Sequence, residues 1–397
     1  MIPRSLLRGD SFIAKSDDGA APQHPRGRGI YAIQVADLVP TAVGATTLKP
    51  DFSGTGNLVW GYVYGASDNY SNGVRTSPAM TYSIASDIAA MDFNADGLND
   101  RLYVGDLGGN LWRFNVGSFD VANWSAKKVF SANPGNDVDS NGTSFQTEGR
   151  KIFYKPDMTV HNGAVILYFG SGDRAHPMNY LNPGPDGAVI DRLYAVKDID
   201  SVSGTITEDD LYDATENKLQ QDLTPAQIQA ERDALAAAKG WYIRLDVNAG
   251  EKALAPVSIF NKVAFYSTYQ PDSLANIDAA NNPCDPGNLG FSRLYALDAE
   301  TGEAVLNFVT GTGTDAFGED QATADNKRSQ GKDEEGTPYI LRRADREVSL
   351  GGGIPSGMVF VIGADGSVSA IIAANISFPV ISLPGDGTVF PVFWTQW

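Results

Sequence analysis

The 397-residue sequence contains one cysteine, Cys284, and only three histidines. A single cysteine cannot form a disulfide within the chain, so cysteine usage leaves the cellular compartment open. The histidines, His24, His161 and His176, are far apart and have none of the short spacings of a histidine zinc site. There is also no G-x-S-x-G nucleophile elbow and no glycine-rich phosphate loop before a helix. The sequence therefore names no catalytic residue, and we expect a protein that is not an enzyme.

Positive charge is scarce, with 30 Lys and Arg residues against 48 Asp and Glu residues and a formal net charge of −18. Nucleic-acid binding depends on clustered cations that neutralise phosphates. We therefore expect no nucleic-acid partner. Acidic loops are instead typical ligands of divalent cations such as calcium.

Long apolar runs are absent as well. No stretch approaches the 18 apolar residues of a transmembrane helix, and the first residues, MIPRSLLRGDSF, lack the apolar core of a signal peptide. We expect no transmembrane segment in this chain. We interpret the missing signal as the mark of a fragment whose upstream part is not included.

Glycine and proline are abundant, with 42 and 21 residues, which is typical of short strands joined by turns. Similar strands with a central aromatic residue recur at 29–35, 101–104, 192–196, 293–297 and 358–362. Such repetition is typical of a β-propeller, whose blades are four-stranded sheets arranged radially. The intervals between these strands exceed a bare blade of about 40–50 residues, so the blades must carry insertions. We predict an all-β fold, a modified and irregular propeller whose closure the sequence leaves open; the alternative is an irregular β-sandwich assembly.

The predicted organisation is a tail over residues 1–27, followed by the propeller domain over 28–397. A helical insertion is predicted at about 206–239. Within it, Thr224, Pro225 and Gln227 form a capping box with proline at the first helical position, and Gly240 is expected to stop the helix. Residues 312–347, which are charged and polar, are predicted to form a long loop between blades.

The chemically most specific stretch reads D-x-N-x-D-G-x-x-D. Calcium needs six to eight oxygen ligands held close together, and alternate residues of a tight loop provide them. We predict ligands from the side chains of Asp92, Asn94 and Asp96, from the carbonyl of Leu98 and from the carboxylate of Asp100. A glycine lies where the loop must turn sharply.

This loop is not a complete EF-hand. An EF-hand has a bidentate glutamate at position twelve, where this chain has Tyr103, and helical patterns are missing on both sides. We therefore interpret it as a calcium loop between strands. A metal-free turn rich in Asp and Asn is the alternative.

Two further motifs are weaker. Asp137, Asp139, Asn141 and Glu148 match an EF-hand consensus by position, but no helices flank them and a surface loop without metal is our preferred interpretation. Arg8, Gly9 and Asp10 form an RGD tripeptide of the kind that integrins bind in exposed loops. Chance is our default explanation for the tripeptide, and cell attachment through it is the alternative.

The stretch DGLNDRLYVGDLGGNLWRF resembles the signature of the PilY-type (PilC-type) tip-associated proteins of bacterial type IV pili, in which a calcium loop runs directly into a blade hairpin. Residues 27–33, 167–173, 239–245, 283–284 and 294–298 are similar to other strands of that family. The resemblance covers about residues 25–372. The region before the loop is shorter than is usual in the family, and the upstream von Willebrand A-like domain is missing.

The resemblance implies a calcium-binding protein of the pilus tip that acts in pilus biogenesis, twitching motility and surface adhesion. Its implied partners are minor pilins and a host or abiotic surface. Its implied location is the pilus tip or the outer membrane. Calcium in the loop would promote pilus extension, and loss of calcium would permit retraction.

Two other classes of protein remain as alternatives. Residues 294–302 are similar to the blade motif of quinone-dependent dehydrogenases, which also need a tryptophan-rich cofactor stack and a full ring. An FG-GAP adhesion propeller has the same calcium loop but repeats it in each blade, whereas this chain has one clear copy.

Overall fold

The structure is a computed structural model in which strands dominate and the described part contains one α-helix. No helix in that part is long and apolar enough to cross a membrane. The described residues are 7–8, 27–41, 43, 47–133, 137–138, 144–145, 149–177, 189–271, 290–306, 308, 341–362, 368–373 and 380–383.

The first seven strands form sheet A and a separate hairpin. They are β1 (Leu7–Arg8), β2 (Gly29–Ile33), β3 (Asp37–Pro40), β4 (Leu48–Asp51), β5 (Leu58–Tyr64), β6 (Asn69–Ser71) and β7 (Val74–Ser77). Sheet A has the order β1-β2-β5-β7-β6, in which only β5 and β7 run parallel. β3 and β4 pair with each other.

Sheet B is a four-stranded antiparallel meander in the order β11-β10-β9-β8. Its strands are β8 (Ala89–Met91), β9 (Arg101–Gly105), β10 (Asn110–Asn115) and β11 (Ser125–Ser131). A small hairpin of β12 (Asp137–Val138) and β13 (Ser144–Phe145) follows it. β9 and β10 are the hairpin predicted to follow the calcium loop.

Sheet C contains the helical insertion. Its elements are β14 (Asp157–His161), β15 (Ala164–Gly170), β16 (Arg192–Asp198), β17 (Tyr212–Asp213), α1 (Pro225–Ala237) and β18 (Gly240–Arg244). The strand order is β14-β15-β16-β18-β17, with β17 parallel to β18.

Sheets D and E complete the described part. Sheet D contains β19 (Lys252–Ala253), β20 (Ser258–Phe260), β21 (Val263–Gln270), β22 (Phe291–Asp298) and β23 (Glu347–Gly352); sheet E contains β24 (Val359–Ile362), β25 (Val368–Ile371) and β26 (Val380–Leu383). Sheet D has the path β19-β21-β22-β23 with β20 beside β21, and sheet E follows chain order.

The sheets pack face to face in chain order, and the middle strands of sheets B, C and D are buried on both faces. In β9, Leu102 packs in a core cluster with Trp60 of sheet A. The next residue, Tyr103, packs in a different cluster with Tyr194 of sheet C, because successive side chains of a strand point to opposite faces. Two further clusters join sheet C to D and sheet D to E.

Consecutive stacking of sheets is the architecture of a propeller. The prediction of an all-β, irregular propeller with a helical insertion is confirmed. Within the residues that the structure describes, no core cluster joins sheet E back to sheet A, so these five sheets form an open series.

A buried aspartate explains the D-x-x-G-N-x-W part of the hairpin. Asp106 is 1% exposed, and its carboxylate accepts hydrogen bonds from the amides of Gly108 and Asn110, both at 2.9 Å. It also accepts from the Asn110 side chain at 3.0 Å and from the indole N–H of Trp112 at 2.8 Å. The turn is therefore built around one carboxylate.

The same arrangement recurs in sheet D. After β22, Asp298 accepts hydrogen bonds from the amides of Glu300 and Thr301 at 2.9 and 3.0 Å and from the Thr301 hydroxyl at 3.2 Å. The D-x-x-T-G similarity to dehydrogenase blades is thus explained by turn geometry.

The helix begins as the capping residues predict, but it does not end as expected. Thr224 accepts a hydrogen bond from the Gln227 amide at 3.4 Å, and only Leu235 of α1 is buried. Gly240 is the first residue of β18 and not a helix stop. Its φ of 139° and its close approach to the Ala195 carbonyl, which a Cβ would collide with, require glycine there.

Two predicted boundaries need correction. The tail over 1–27 contributes Leu7–Arg8, which pair with β2. The polar loop over 312–347 ends in packed structure, because Leu341 and Ala344 are buried beside a 3-10 turn at Arg343–Arg346.

Replacing the buried carboxylate should destabilise sheet B strongly. Asp106→Ala leaves the Trp112 indole and the Asn110 amide without their acceptor inside the core. We expect a loss of at least about 3 kcal/mol in the free energy of unfolding, measured by urea denaturation. Asp87→Ala, at an exposed position before β8, is the control and should change stability by less than about 0.5 kcal/mol. Equal stability of the two variants would contradict this account of the turn.

Candidate calcium loop

The predicted calcium loop leaves and re-enters sheet B at one point. The Asp100 amide donates to the Met91 carbonyl at 2.8 Å, which closes the loop between β8 and β9. Inside it, Ala95 and Gly97 have φ values of 60° and 90°. A Cβ on Gly97 would meet no atom within 4 Å. Backbone conformation, not lack of space, therefore favours glycine at this position.

Asp92 and Asp96 organise the tip of the loop. The Asp92 carboxylate accepts from the amides of Asp96 and Gly97 at 3.1 and 2.7 Å. The Asp96 carboxylate accepts from the Leu98 amide at 2.8 Å, and the Asp96 amide also donates to the Asn94 side-chain oxygen at 2.9 Å. Such local bonds are typical of Asp and Asn in tight turns.

Asp100 crosses the loop from the opposite side. Its Oδ2 accepts from the amides of Phe93 and Asn94 at 2.9 and 3.0 Å. The Asn94 side-chain amide reaches Asp100 Oδ1 at 3.3 Å and Asp96 Oδ2 at 3.2 Å. The four predicted side-chain ligands therefore lie in one hydrogen-bonded network.

The donor chemistry of this network fits calcium, which prefers carboxylate and amide oxygens. Each carboxylate has about four acceptor positions, so the amide bonds leave oxygen lone pairs available. In the described part of the chain, however, no three Asp, Glu, His or Cys side chains are grouped as an ion would require. The carboxylates turn toward backbone amides. Coordination by Asp92, Asn94, Asp96, Leu98 and Asp100 stays a prediction.

The two weaker motifs lie mostly outside the described residues. Asp137 pairs with Phe145 in the hairpin of β12 and β13, and Arg8 pairs with Tyr31 of β2. The remaining residues of these motifs fall outside the described part: Asp139, Asn141, Glu148, Gly9 and Asp10. Metal binding and cell attachment through them stay untested predictions.

A charged contact between sheets B and C lies next to the loop. Arg113 donates to Asp198 at 2.8 Å and to Asp200 at 2.7 Å. Arg101 donates to Asp200 at 2.6 Å, and the Tyr103 hydroxyl donates to Asp198 at 2.9 Å. The Asp198 side chain is fully buried, whereas that of Asp200 is 58% exposed. We call these five residues the inter-sheet clamp.

The loop contacts the clamp directly. Arg101 follows the loop residue Asp100 in the chain, and its guanidinium lies 3.7 Å from the centre of the Phe93 ring, a cation–π distance. Phe93 in turn donates its amide to Asp100. The loop is therefore connected to sheet C through the contacts of Arg101 with Phe93 and with Asp200.

The clamp belongs to a repeated pairing of arginine and tyrosine on β9, β16 and β22. Two residues apart on a strand, the pair shares one face. In β16, Arg192 lies 3.5 Å from Glu208, which also accepts from the Tyr194 hydroxyl. In β22, Arg293 and Tyr295 contact Glu251 in the same way, at 3.9 and 3.0 Å. The triplet R-L-Y recurs in the sequence at 101–103, 192–194 and 293–295 and could have predicted this pairing. We used these segments only to predict strands.

The fold and the loop together define an all-β, propeller-type protein with a loop of oxygen-donor side chains between two strands. No protein-family model matches the chain. Over 245 residues, 58% of its length, the chain is 29% identical to a type IV pilus biogenesis factor PilY1 homolog of Xylella fastidiosa (strain Temecula1). The match covers 15% of that protein. This similarity agrees with the resemblance found in the sequence: over more than half of its length, the chain resembles a PilY-type protein.

Two solved structures were also compared. The C-terminal domain of Pseudomonas aeruginosa PilY1 aligns with this chain with a TM-score of 0.46 and 17% sequence identity. The alignment covers 88% of this chain and 69% of that domain's chain. BamB from Moraxella catarrhalis has a TM-score of 0.24 and 11% identity, with 98% and 93% covered.

The clamp predicts a specific dependence of stability on pH. Burial raises the pKa of Asp200, but hydrogen bonds from Arg101 and Arg113 outweigh it and hold the pKa below its usual value. The ion pairs therefore stabilise the folded state above the unfolded carboxyl pKa of about 3.9, and this contribution disappears as the pH falls through the lower folded value.

Asp200→Asn should lower the free energy of unfolding at pH 7, and its deficit against the parent should shrink as the pH falls below about 4. Asp209→Asn, at an exposed position without a resolved ion pair, is the matched control. Urea denaturation at several pH values measures both. If the two variants follow the same pH curve, the clamp does not contribute to stability.

Proposed function

We propose that this chain is the calcium-responsive part of a type IV pilus tip protein that acts in pilus biogenesis, twitching motility and surface adhesion. The observation that carries the proposal is the loop of four joined oxygen-donor side chains running directly into the hairpin of β9 and β10. The name of the Xylella fastidiosa relative, a pilus biogenesis factor, supports the same function.

Calcium would be held by the side chains of Asp92, Asn94, Asp96 and Asp100 with the Leu98 carbonyl. Without metal, the loop carboxylates accept hydrogen bonds from backbone amides. Bound calcium would draw them together and hold the loop in one conformation. At a hundredfold excess over Kd, binding stabilises the folded state by about 2.7 kcal/mol.

The stabilisation would extend from the loop into the propeller. Asp100 immediately precedes β9 and donates its amide to the Met91 carbonyl of β8, and Arg101 connects β9 to Asp200 of the inter-sheet clamp. A calcium-bound loop would therefore fix sheet B against sheet C. We propose that this fixed state favours pilus extension and that loss of calcium permits retraction.

The partners that fit this function are minor pilins at the pilus tip and a host or abiotic surface. The site of action is the cell surface, at the pilus tip or on the outer membrane. Because the match spans 15% of the relative, these are roles of the whole protein to which the chain contributes. We propose binding and assembly, and no catalytic step.

Two substitutions at Asp96 separate the roles of the metal. Asp96→Ala removes a ligand, so calcium should no longer raise the melting temperature and cells should have few surface pili. Asp96→Lys places an ammonium group where the cation binds and imitates the bound state, so pili should extend but not retract. Twitching should be lost in both variants for opposite reasons. Surface pilus counts and thermal unfolding with and without calcium provide the measurements.

Asp87→Ala is the control, since it removes an exposed carboxylate just outside the loop. It should keep calcium-dependent stabilisation, pili and twitching. Normal pili and twitching in both Asp96 variants would mean that the loop is only structural. A calcium-induced rise in melting temperature that survives in Asp96→Ala would overturn the ligand assignment.

A further inference from the structure

A cavity of about 720 Å³ lies between sheet C, helix α1 and the turn after β22. Its size is within the range of small-molecule binding sites. The walls are mainly apolar, with Ile166 and Ala195 from the sheet, Trp241 from β18, and Leu235 and Ala236 from the helix. The calcium loop and the clamp contribute no residue to it.

Helix α1 covers this cavity without filling it. Leu235 is its one buried residue. An amphipathic helix usually gains most of its stability by packing an apolar face, and this helix packs very little. The cavity therefore lies at the edge of the core cluster that contains Leu235, Trp241 and Ile166, beneath a helix that packs little against the sheet.

Two cations, Lys197 and Arg232, lie at the cavity. Lys197 donates to the Ala238 carbonyl at 3.0 Å, and burial lowers the pKa of this lysine although Glu300 opposes the effect. Arg232 also lines the cavity, from the exposed side of the helix. Among the described residues, neither cation forms an ion pair of 4 Å or less, and Glu300 acts on Lys197 from a longer distance. A ligand anion could therefore contact both cations.

The acids at the cavity limit the charge of the ligand. Glu300 lies 3.6 Å from the imidazole of His161, and Glu303 lines the same region. Two carboxylates near the mouth disfavour a multiply charged anion such as a phosphate. A single carboxylate directed toward Lys197 and Arg232 avoids this repulsion and can form charge-assisted hydrogen bonds.

We propose that this cavity binds a small organic acid, with an apolar chain or ring against Ile166 and Trp241 and a carboxylate at Lys197 and Arg232. The apolar walls supply most of the affinity, and the two cations select an anion. This site is separate from the calcium loop and does not depend on the proposed pilus function.

The test is calorimetric titration of the whole chain with decanoate, and with decanol and decylamine as neutral and cationic analogues. Decanoate should bind at one site and more tightly than decylamine by about tenfold or more, the factor expected from a charge-assisted contact. Lys197→Met should reduce this preference and leave decanol binding unchanged.

Filling the cavity provides a second test that does not disturb the core. Ala236 is exposed on the helix and lines the cavity, so Ala236→Trp should block the site and weaken decanoate binding by about tenfold or more. Ala234→Trp makes the same change outside the cavity lining and should bind like the parent. No binding of decanoate, equal binding of decylamine, or unchanged binding by Ala236→Trp would each overturn the proposal.

Discussion

The burial of both faces of the middle strands in sheets B, C and D is the constraint on which this structure depends. In β9, Leu102 belongs to the core shared with sheet A and Tyr103 to the core shared with sheet C. In β16, Tyr194 faces sheet B and Leu193 faces sheet D. Each of these three sheets therefore needs a neighbour on both sides. The sheets stack in chain order. The fold tolerates long insertions, such as the one that contains α1, because they leave the middle strands unchanged.

Apolar packing alone does not fix how one sheet is placed on the next, and charged groups between the sheets do so. In β16 and β22 the arginine and tyrosine of the R-L-Y strand share one carboxylate. In β9 they contact two carboxylates, Asp200 and Asp198, at and just after the end of β16. Buried ion pairs gain little net stability but penalise any arrangement that separates them. The clamp thus fixes how sheet B sits on sheet C. Since Arg101 also stacks on Phe93, the same contact connects the loop to the interior of the propeller.

The sequence predicted the elements whose signals are local. The hairpin of β9 and β10, the start of α1 at Thr224 and the loop at 92–100 depend on residues a few positions apart. It did not predict the pairing of Arg101 with Asp200, because the partners are 99 positions apart and many acids were available. Gly240 was misjudged since its role is a close approach to Ala195, which is a tertiary contact. The cavity beside α1 likewise depends on how three elements meet.

The central claim is that calcium in the loop stabilises sheet B and, through the clamp, sheet C. Amide hydrogen exchange with and without calcium measures this most directly, because protection reports the local free energy of opening. Calcium should slow exchange at the amides of 93–98, in β9 and in β16, and leave β22 unchanged. Equal exchange of the loop amides in the two conditions would contradict calcium binding. Protection confined to the loop would contradict its coupling to the propeller.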